Sequence, residues 1–281
     1  MLNKSLTFIV LTAFAGFVFF SCGEKKEEKT TGTEKKDTVD TSKTVAQSEL
    51  MGKLELFVLN EFFPTESFKT LKASGAAYNS KVLADVKNAK NLTTNFVKAI
   101  NLGVFGADLN YSVCNDQAQS ALSYLTTSKT LTDELDVPMA FDEEVMKKYQ
   151  ENINKPDELN MIIFDAYDKT SQMLKSNEQL EMSALVIAGS WFEGLYLNVV
   201  NYKSGDDVKS FILLQKNQLE KVISIFSEFK DNEYMAGLTA DFNSIMAFYT
   251  GLKKENEISA DEMKSFAKLL TSIRDKIIVK Q

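Results

Sequence analysis

Two carboxylates embedded in apolar sequence, Asp108 and Glu193, are the groups of this chain best placed to do chemistry. Asp108 lies in the stretch GVFGADL (103–109), and Glu193 lies in GSWFEGL (189–195). A buried charge without compensation is prohibitively costly, so inward-pointing carboxylates must pair, accept hydrogen bonds or hold a cation. We expect a structural network here, and a carboxylate-lined site for a metal or a sugar is the alternative. The expected network partner is Asn110, Tyr111 or Tyr196.

The same stretches place glycine inside predicted helices, where it costs about 0.5 to 1 kcal/mol relative to alanine. Small residues share a face with these glycines: Ala99, Gly103 and Ala107 in the first stretch, Ala184, Ala188 and Gly189 in the second. Such faces let two helix backbones approach closely, which is the structural interpretation. The functional alternative is a ligand site beside Asp108, Trp191 and Glu193. Trp191 itself has apolar neighbours and is predicted to be a core anchor.

The chain contains no histidine, which closes much of enzyme chemistry to it. Serine or cysteine nucleophiles activated by histidine, zinc sites with histidine and two-histidine di-iron sites are excluded. The two cysteines are Cys22 and Cys114, and Cys114 lies in apolar helical sequence without an activating base, so we interpret it as a core residue. We predict no catalytic residue, no metal site and no cofactor.

An apolar segment near the start of the sequence resembles a lipoprotein signal peptide. Lys4 precedes the fifteen uncharged residues 6–20, and Ser21 then precedes Cys22. Such a segment is shorter than the ~20 residues of a bilayer span and matches the apolar region of a signal peptide. The resemblance implies cleavage before Cys22 and lipid attachment to its thiol, although Phe19 stands where leucine is commonest. The alternative is an uncleaved membrane anchor.

Residues 24–47 are polar and charged, so they bury too little surface to offset the entropy of ordering. We therefore predict a signal peptide over 1–21 and a disordered tether over 22–47, with the remaining chain lipid-anchored at a bacterial outer membrane. Residues 25–28 (KKEE) look like an acidic signal for surface exposure, so periplasmic and surface-exposed positions both remain open. The formal charge of −7 disfavours nucleic acid as a partner.

From Ser48 onward apolar residues recur every three or four positions, which indicates an all-α domain over 48–281. Ser259-Ala-Asp-Glu262 and Ser176-Asn-Glu-Gln179 match the capping-box pattern of helix starts. We predict helices at 48–60, 65–74, 80–88, 92–113, 115–135, 142–152, 156–175, 177–200, 206–229, 232–250 and 259–278. Short connections favour an antiparallel bundle.

The glycine-containing stretches suggest an internal duplication. Each has Gly, an aromatic residue two positions later and Leu six positions later, and the two stretches are spaced 86 positions apart. Asp108 and Glu193 then occupy nearly equivalent places. We predict two related four-helix units, 92–175 and 177–278, and a superhelical array of hairpins is the alternative.

The stretch from Ala73 to Tyr111, together with IAGSWFEGLYL (187–197), resembles a family of uncharacterised bacterial predicted lipoproteins. This resemblance implies an extracytoplasmic location and a helical domain, and it carries no activity.

Three functions therefore remain open. The first is an interaction or scaffold lipoprotein of the cell envelope with a protein partner. The second is a small-molecule or glycan-binding lipoprotein with a pocket near Asp108, Trp191 and Glu193. An enzyme is third, disfavoured by the missing histidine and the absence of a catalytic motif.

Overall fold

Regular backbone structure in the computed structural model is helical, as the apolar periodicity predicts. The structure describes residues 48–54, 64–177, 179–254 and 257–278. The predicted signal peptide, Cys22 and the tether lie outside these ranges. Within them there is no strand, and the β-type pairing is an isolated bridge between Lys254 and Glu257. The all-α class and the helical bundle are confirmed.

The helices begin and end close to the predicted positions. Residues 48–54 are helical, and the helices that follow are α1 Thr65–Ala73, α2 Asn95–Cys114, α3 Ala118–Glu134, α4 Glu143–Glu151, α5 Pro156–Ser176, α6 Leu180–Val200, α7 Asp206–Ser227, α8 Glu233–Thr250 and α9 Ala260–Ile277. Short 3₁₀ helices span Ser80–Val82, Val86–Asn91 and Pro138–Phe141. All of these belong to the compact unit Thr41–Gln281.

Side-chain caps explain several of these starts. Thr94, Asp142 and Asn232 each accept a hydrogen bond from a backbone N–H of the first turn of α2, α4 and α8. The predicted box at the start of α9 is confirmed, since Ser259 and Glu262 each accept from the other's backbone N–H. Caps of this kind satisfy amides that the helix leaves unbonded.

Two local predictions are wrong. The box predicted at Ser176 is absent, because Ser176 ends α5 and its hydroxyl bonds Gln172 O, while the N-cap of α6 is Gln179 without a side-chain cap bond. The residues of the helix predicted over 80–88 lie instead in two short 3₁₀ helices. The Asn79 and Asp85 side chains accept hydrogen bonds from the N–H groups of Lys81 and Lys87, so each begins a separate short helix.

Helices α2 and α6 form the centre of the bundle. Every residue of α2 from Ala99 to Cys114 is buried, as is every residue of α6 from Met182 to Val199. The two helices pack against each other, with α3 and α5 on α2, and α7 and α9 on α6. Helix α6 is long and apolar enough to cross a membrane, yet 94% of its most apolar window is buried inside the domain. By burial, α6 is the core helix of this bundle.

The two central helices meet at Gly103 and Gly189. A Cβ added at Gly103 would overlap the carbonyl oxygen of Val186, and one added at Gly189 would overlap that of Ile100. The predicted close approach of the small-residue faces is therefore present. Gly103 and Gly189 are 86 positions apart, and so are the residues that they meet, Ile100 and Val186. This reciprocity is expected where two equivalent helices cross about a two-fold axis.

The C-terminal ends of the same helices repeat this offset. Asn115 caps α2 and donates through Nδ2 to Tyr111 O, and Asn201 caps α6 and donates through Nδ2 to Leu197 O. The outer helices follow with larger offsets, since α3 begins at Ala118 and α7 at Asp206. The duplication stays a prediction, and the equivalence of α2 and α6 supports it.

Candidate functional site

The two carboxylates singled out from the sequence lie side by side in the core. Asp108 on α2 and Glu193 on α6 are each 0% exposed, and their carboxyl groups are within hydrogen-bonding reach of each other. They meet because α2 and α6 cross at Gly103 and Gly189, and each carboxylate follows that crossing by roughly one to one and a half helical turns. The interpretation of paired, inward-pointing carboxylates matches this geometry.

Arg274 of α9 supplies the counter-charge. Its Nε lies 2.7 Å from Glu193 Oε2 and 2.9 Å from Oε1, and Nη2 also donates to Oε1. This planar, two-pronged arrangement is the strongest geometry for a guanidinium and a carboxylate. The guanidinium carbon also lies 4.4 Å from the centroid of the Tyr196 ring, which covers the cation on its open face.

Asp108 has a different environment from Glu193. Its Oδ2 accepts a hydrogen bond of 2.9 Å from the backbone N–H of Ala84, while its Oδ1 is buried and receives none from the described residues. Burial first, and then the negative charge of Glu193, raise the pKa of Asp108 well above its ordinary value. The Arg274 charge and the Ala84 N–H act in the opposite direction without reversing the shift.

Ala84 connects this cluster to α3. Its N–H donates to Asp108, and its carbonyl accepts a 2.7 Å hydrogen bond from the Tyr124 hydroxyl. Ala84 follows the first 3₁₀ turn, where Leu83 is extended and presents the next peptide group to the core. The irregular segment that was predicted to be helical thus supplies a backbone hydrogen-bond donor to Asp108.

Trp191 does not belong to this cluster. Two residues along a helix rotate a side chain by about 200°, so Trp191 and Glu193 point to different sides of α6. The Trp191 indole donates a 2.9 Å hydrogen bond from Nε1 to Gln215 Oε1 of α7 and packs edge-on against Phe242 of α8. It is 3% exposed, which agrees with its interpretation as a core anchor.

The three candidate network partners also differ in whether they contact the acid pair and Arg274. Tyr196 takes part through Arg274, whereas Asn110 donates to Thr65 and Asn160, and the Tyr111 hydroxyl accepts from the N–H of Asn79. These two residues therefore serve the packing of neighbouring segments against α2. Of the three alternatives, Tyr196 is therefore the residue that contacts the charged cluster, through Arg274.

Sequence reasoning missed Arg274, although a signal was present. It is the sole arginine among 32 basic residues, and it stands in the apolar stripe of α9 that contains Leu270 and Ile277. A single arginine on a buried helix face predicts a two-pronged carboxylate partner, since lysine does not reproduce that geometry. Ala84 gave no such signal because it contributes only its backbone.

Cys114 is a core thiol. It is 6% exposed, and its sulfur lies near Thr65 O, Asn110 Oδ1 and Asn160 Nδ2 at 3.8 to 4.0 Å. Burial raises the pKa of Cys114 to about 11, with Asn160 opposing the shift. The thiol therefore stays protonated at neutral pH, as a structural cysteine does.

Open clefts occur elsewhere on the domain. One of ≈ 630 Å³ is lined by side chains of α7, by Lys253 and Lys254, and by Ser259 and Glu262 at the start of α9. Smaller ones of ≈ 370 and ≈ 160 Å³ lie beside α3 and beside the start of α5. Asp108, Trp191 and Glu193 line none of these three clefts. Within the described ranges, no three His, Cys, Asp or Glu residues gather as a metal site.

Comparison of the sequence with models of protein families, with curated proteins and with solved structures gave no match.

Proposed function

We propose that this chain is a bacterial lipoprotein, held at the outer membrane by lipid on Cys22, whose helical domain acts as an interaction or scaffold module of the cell envelope. The anchoring part of the proposal rests on sequence. Lys4, the apolar run 6–20 and Ser21 before Cys22 form the signal pattern, and the polar residues 24–47 give the domain a spacer. Several acyl chains on one cysteine hold a protein durably, at about 0.8 kcal/mol per buried methylene.

The burial of the acid pair is the observation that carries the scaffold role. Arg274 neutralises Glu193, the Ala84 N–H donates to Asp108 Oδ2, and both carboxylates are 0% exposed, so neither is open to a ligand from solvent. A ligand at this position would have to displace α9 from α6. The cluster therefore stabilises the packing of α9 on α6, and the outer faces of the domain are the surface available to a partner.

The two most exposed of the large hydrophobic side chains described are the places to seek a protein partner. Met161 on α5 is 67% exposed and Leu214 on α7 is 61% exposed. A photo-crosslinking amino acid at each position, in cells of a Gram-negative host, should capture an envelope protein. The matched control places the same amino acid at exposed Thr126 of α3. Equal adducts at all three positions, or adducts at none, would count against a partner on these faces.

Small-molecule or glycan binding is the second candidate, and the ≈ 630 Å³ cleft beside Ser259 is the observation that favours it. Its volume lies in the range of about 300 to 1,000 Å³ typical of ligand sites. A concentration-dependent rise in melting temperature with a glycan or metabolite panel, lost when Lys209 and Lys253 are changed to Ala, would favour this function over the first.

The anchor is tested with the two cysteines of the full chain. After expression with an alkyne-tagged fatty acid, the wild type and Cys114→Ala should both label and fractionate with membranes, and Cys22→Ala should lose the label. Label on the Cys22→Ala protein contradicts the lipid assignment. Membrane association of that variant without label points to an uncleaved apolar anchor instead.

Surface exposure is tested separately. Protease added to intact cells should digest a surface-exposed domain and spare a periplasmic one. If residues 25–28 direct export to the surface, changing Glu27 and Glu28 to Ala should protect the domain, while changing Glu34 to Ala should not.

A further inference from the structure

We propose that Asp108 carries a proton in the folded domain and, through that O–H, donates a hydrogen bond to the Glu193 carboxylate, so that Asp108, Glu193 and Arg274 form a pH-sensitive lock that holds α9 on the bundle core. No covalent step is involved, and the proton moves only between Asp108 and solvent. The proposal is independent of lipid anchoring and of any partner.

Charge balance in the core requires a proton on the acid pair. Asp108 and Glu193 are 0% exposed and Arg274 is 6% exposed, so all three groups are buried from solvent. Two ionised carboxylates facing one guanidinium would leave an uncompensated negative charge in the core, which is strongly unfavourable. One shared proton makes the cluster neutral.

Hydrogen bonding decides which carboxyl holds the proton. Both oxygens of Glu193 accept N–H groups of Arg274, so Glu193 is the ionised member. Asp108 accepts a single N–H, from Ala84, and its Oδ1 has no donor among the described residues. An O–H on Asp108 directed to the neighbouring Glu193 carboxylate satisfies the one oxygen that is otherwise orphaned.

The groups facing the pair from the other elements leave this balance unchanged. They are Tyr111 on α2, Tyr124 on α3, Tyr167 on α5, Tyr196 on α6, Arg274 on α9 and the uncharged Ala84 peptide. Burial raises the pKa of each tyrosine above its ordinary value, so the phenols stay neutral through the working range. Arg274 is the cation bound to Glu193, and it stays charged.

The sign of the pH dependence follows from linkage. The pKa of Asp108 is raised on folding, so between its unfolded and its folded value the native state binds a proton that the unfolded state lacks. Stability contributed by the cluster is complete below the unfolded pKa and falls as pH rises towards the folded pKa. Once Asp108 ionises, two carboxylates compete for Arg274, and the contact that ties α9 to α6 weakens.

Asp108→Asn gives the sharpest test, because its amide donates to Glu193 and its carbonyl accepts from Ala84 without any titration. Urea unfolding of the full chain in detergent, from about pH 5 to about pH 9, should show wild-type stability falling with pH. The Asp108→Asn variant should lose that slope and be at least as stable as wild type at the alkaline end. Exposed Asp165→Asn is the control, and it should keep the wild-type slope.

Glu193→Gln separates the two acids. With Glu193 neutral, Asp108 is the remaining counter-ion for Arg274, so it should ionise, and the downward slope should vanish or reverse. If Glu193→Gln does not fold, infrared spectroscopy of the wild type decides the matter. It should show a protonated carboxylic acid at neutral pH that is missing in Asp108→Asn.

Amide exchange of α9 tests the lock itself. Corrected for the intrinsic rate, exchange in the wild type should accelerate by about tenfold for each pH unit spanned by the titration. The Asp108→Asn variant should not show this acceleration. The proposal is overturned if Asp108→Asn keeps the wild-type slope, if the protonated acid is absent at neutral pH, or if α9 exchange responds to pH equally in both proteins.

Discussion

Gly103 and Gly189 each lie directly beneath a backbone carbonyl of the opposite central helix, Gly103 beneath Val186 O and Gly189 beneath Ile100 O. Backbone atoms face backbone atoms here, so no flexible side chain is available to move aside. The spacing of α2 and α6 is therefore set by two missing Cβ atoms. Since both helices are buried on every side, this spacing determines how the outer helices pack.

Gly103→Ala and Gly189→Ala should each destabilise the domain by about 3 kcal/mol or more, at the upper end of the range for overpacked cores, because α2 and α6 must separate. Urea unfolding followed by circular dichroism measures the change. Gly237→Ala is the matched control. Gly237 lies in α8 with nothing within 4 Å of an added Cβ, so alanine there should stabilise by about 0.5 to 1 kcal/mol.

If Gly103→Ala is as well tolerated as Gly237→Ala, the close crossing of the central helices is wrong. The reciprocal contacts also allow the two alanine variants to be compared. Because Gly103 and Gly189 occupy equivalent places in the crossing, the two alanine variants should lose similar stability.

Local patterns were enough to predict the helices of this fold and the glycine crossing. The three-and-four periodicity gave α2 to α9 within a few residues, and the small-residue faces around Gly103 and Gly189 indicated close packing. Periodicity failed at 80–88, because Asn79 and Asp85 cap single turns that an apolar pattern does not distinguish from a helix.

The acid site was only half accessible to sequence reasoning. Apolar neighbours indicated that Asp108 and Glu193 point inward, but the partner of Glu193 is 81 residues away in α9. Pairing over such a distance depends on how helices pack in three dimensions. Ala84 contacts Asp108 through its backbone N–H. Every non-proline residue has this group, so residue type does not predict the contact.

Trp191 should report on the packing of α6 against α7. Gln215→Leu removes the acceptor of the buried indole N–H and should cost about 1 to 3 kcal/mol, since the N–H then has no partner. Equilibrium unfolding followed by Trp191 fluorescence measures the loss, because the tryptophan is single and 3% exposed in the native state. Gln119→Leu on the exposed face of α3 is the control and should change stability little. Equal effects of the two substitutions would contradict the indole hydrogen bond.

Cys114 should be inert in the folded domain. With its pKa raised to about 11, only about one thiol in ten thousand is ionised at neutral pH, and the sulfur is buried as well. In a Cys22→Ala background, a chromogenic thiol reagent should therefore react with one equivalent in denaturant and very slowly without it. Rapid reaction of the native protein at neutral pH would show that Cys114 is accessible and ionised.

The capping box of α9 should give the domain a separate acid-limb pH dependence. Hydrogen bonds from the Ser259 hydroxyl, the Ser259 N–H and the Lys253 N–H lower the pKa of Glu262 to about 2. Because the folded pKa is depressed, the stability it contributes is complete above the unfolded pKa of 4.5 and is lost as pH falls towards about 2. This sign is opposite to that of Asp108, so the two groups act at opposite ends of the pH range.

Ser259→Ala should raise the pKa of Glu262 towards its ordinary value, because the first and largest of the three donors is removed. It should also lower stability by about 1 kcal/mol through loss of the N-cap. Carboxyl titration by NMR measures the first effect and urea unfolding the second. Asp261→Asn, in the same first turn, leaves all three donors in place and should keep the Glu262 titration as in wild type. An unchanged Glu262 titration in Ser259→Ala would mean that the two backbone N–H groups alone hold the carboxylate, since they are the donors that remain.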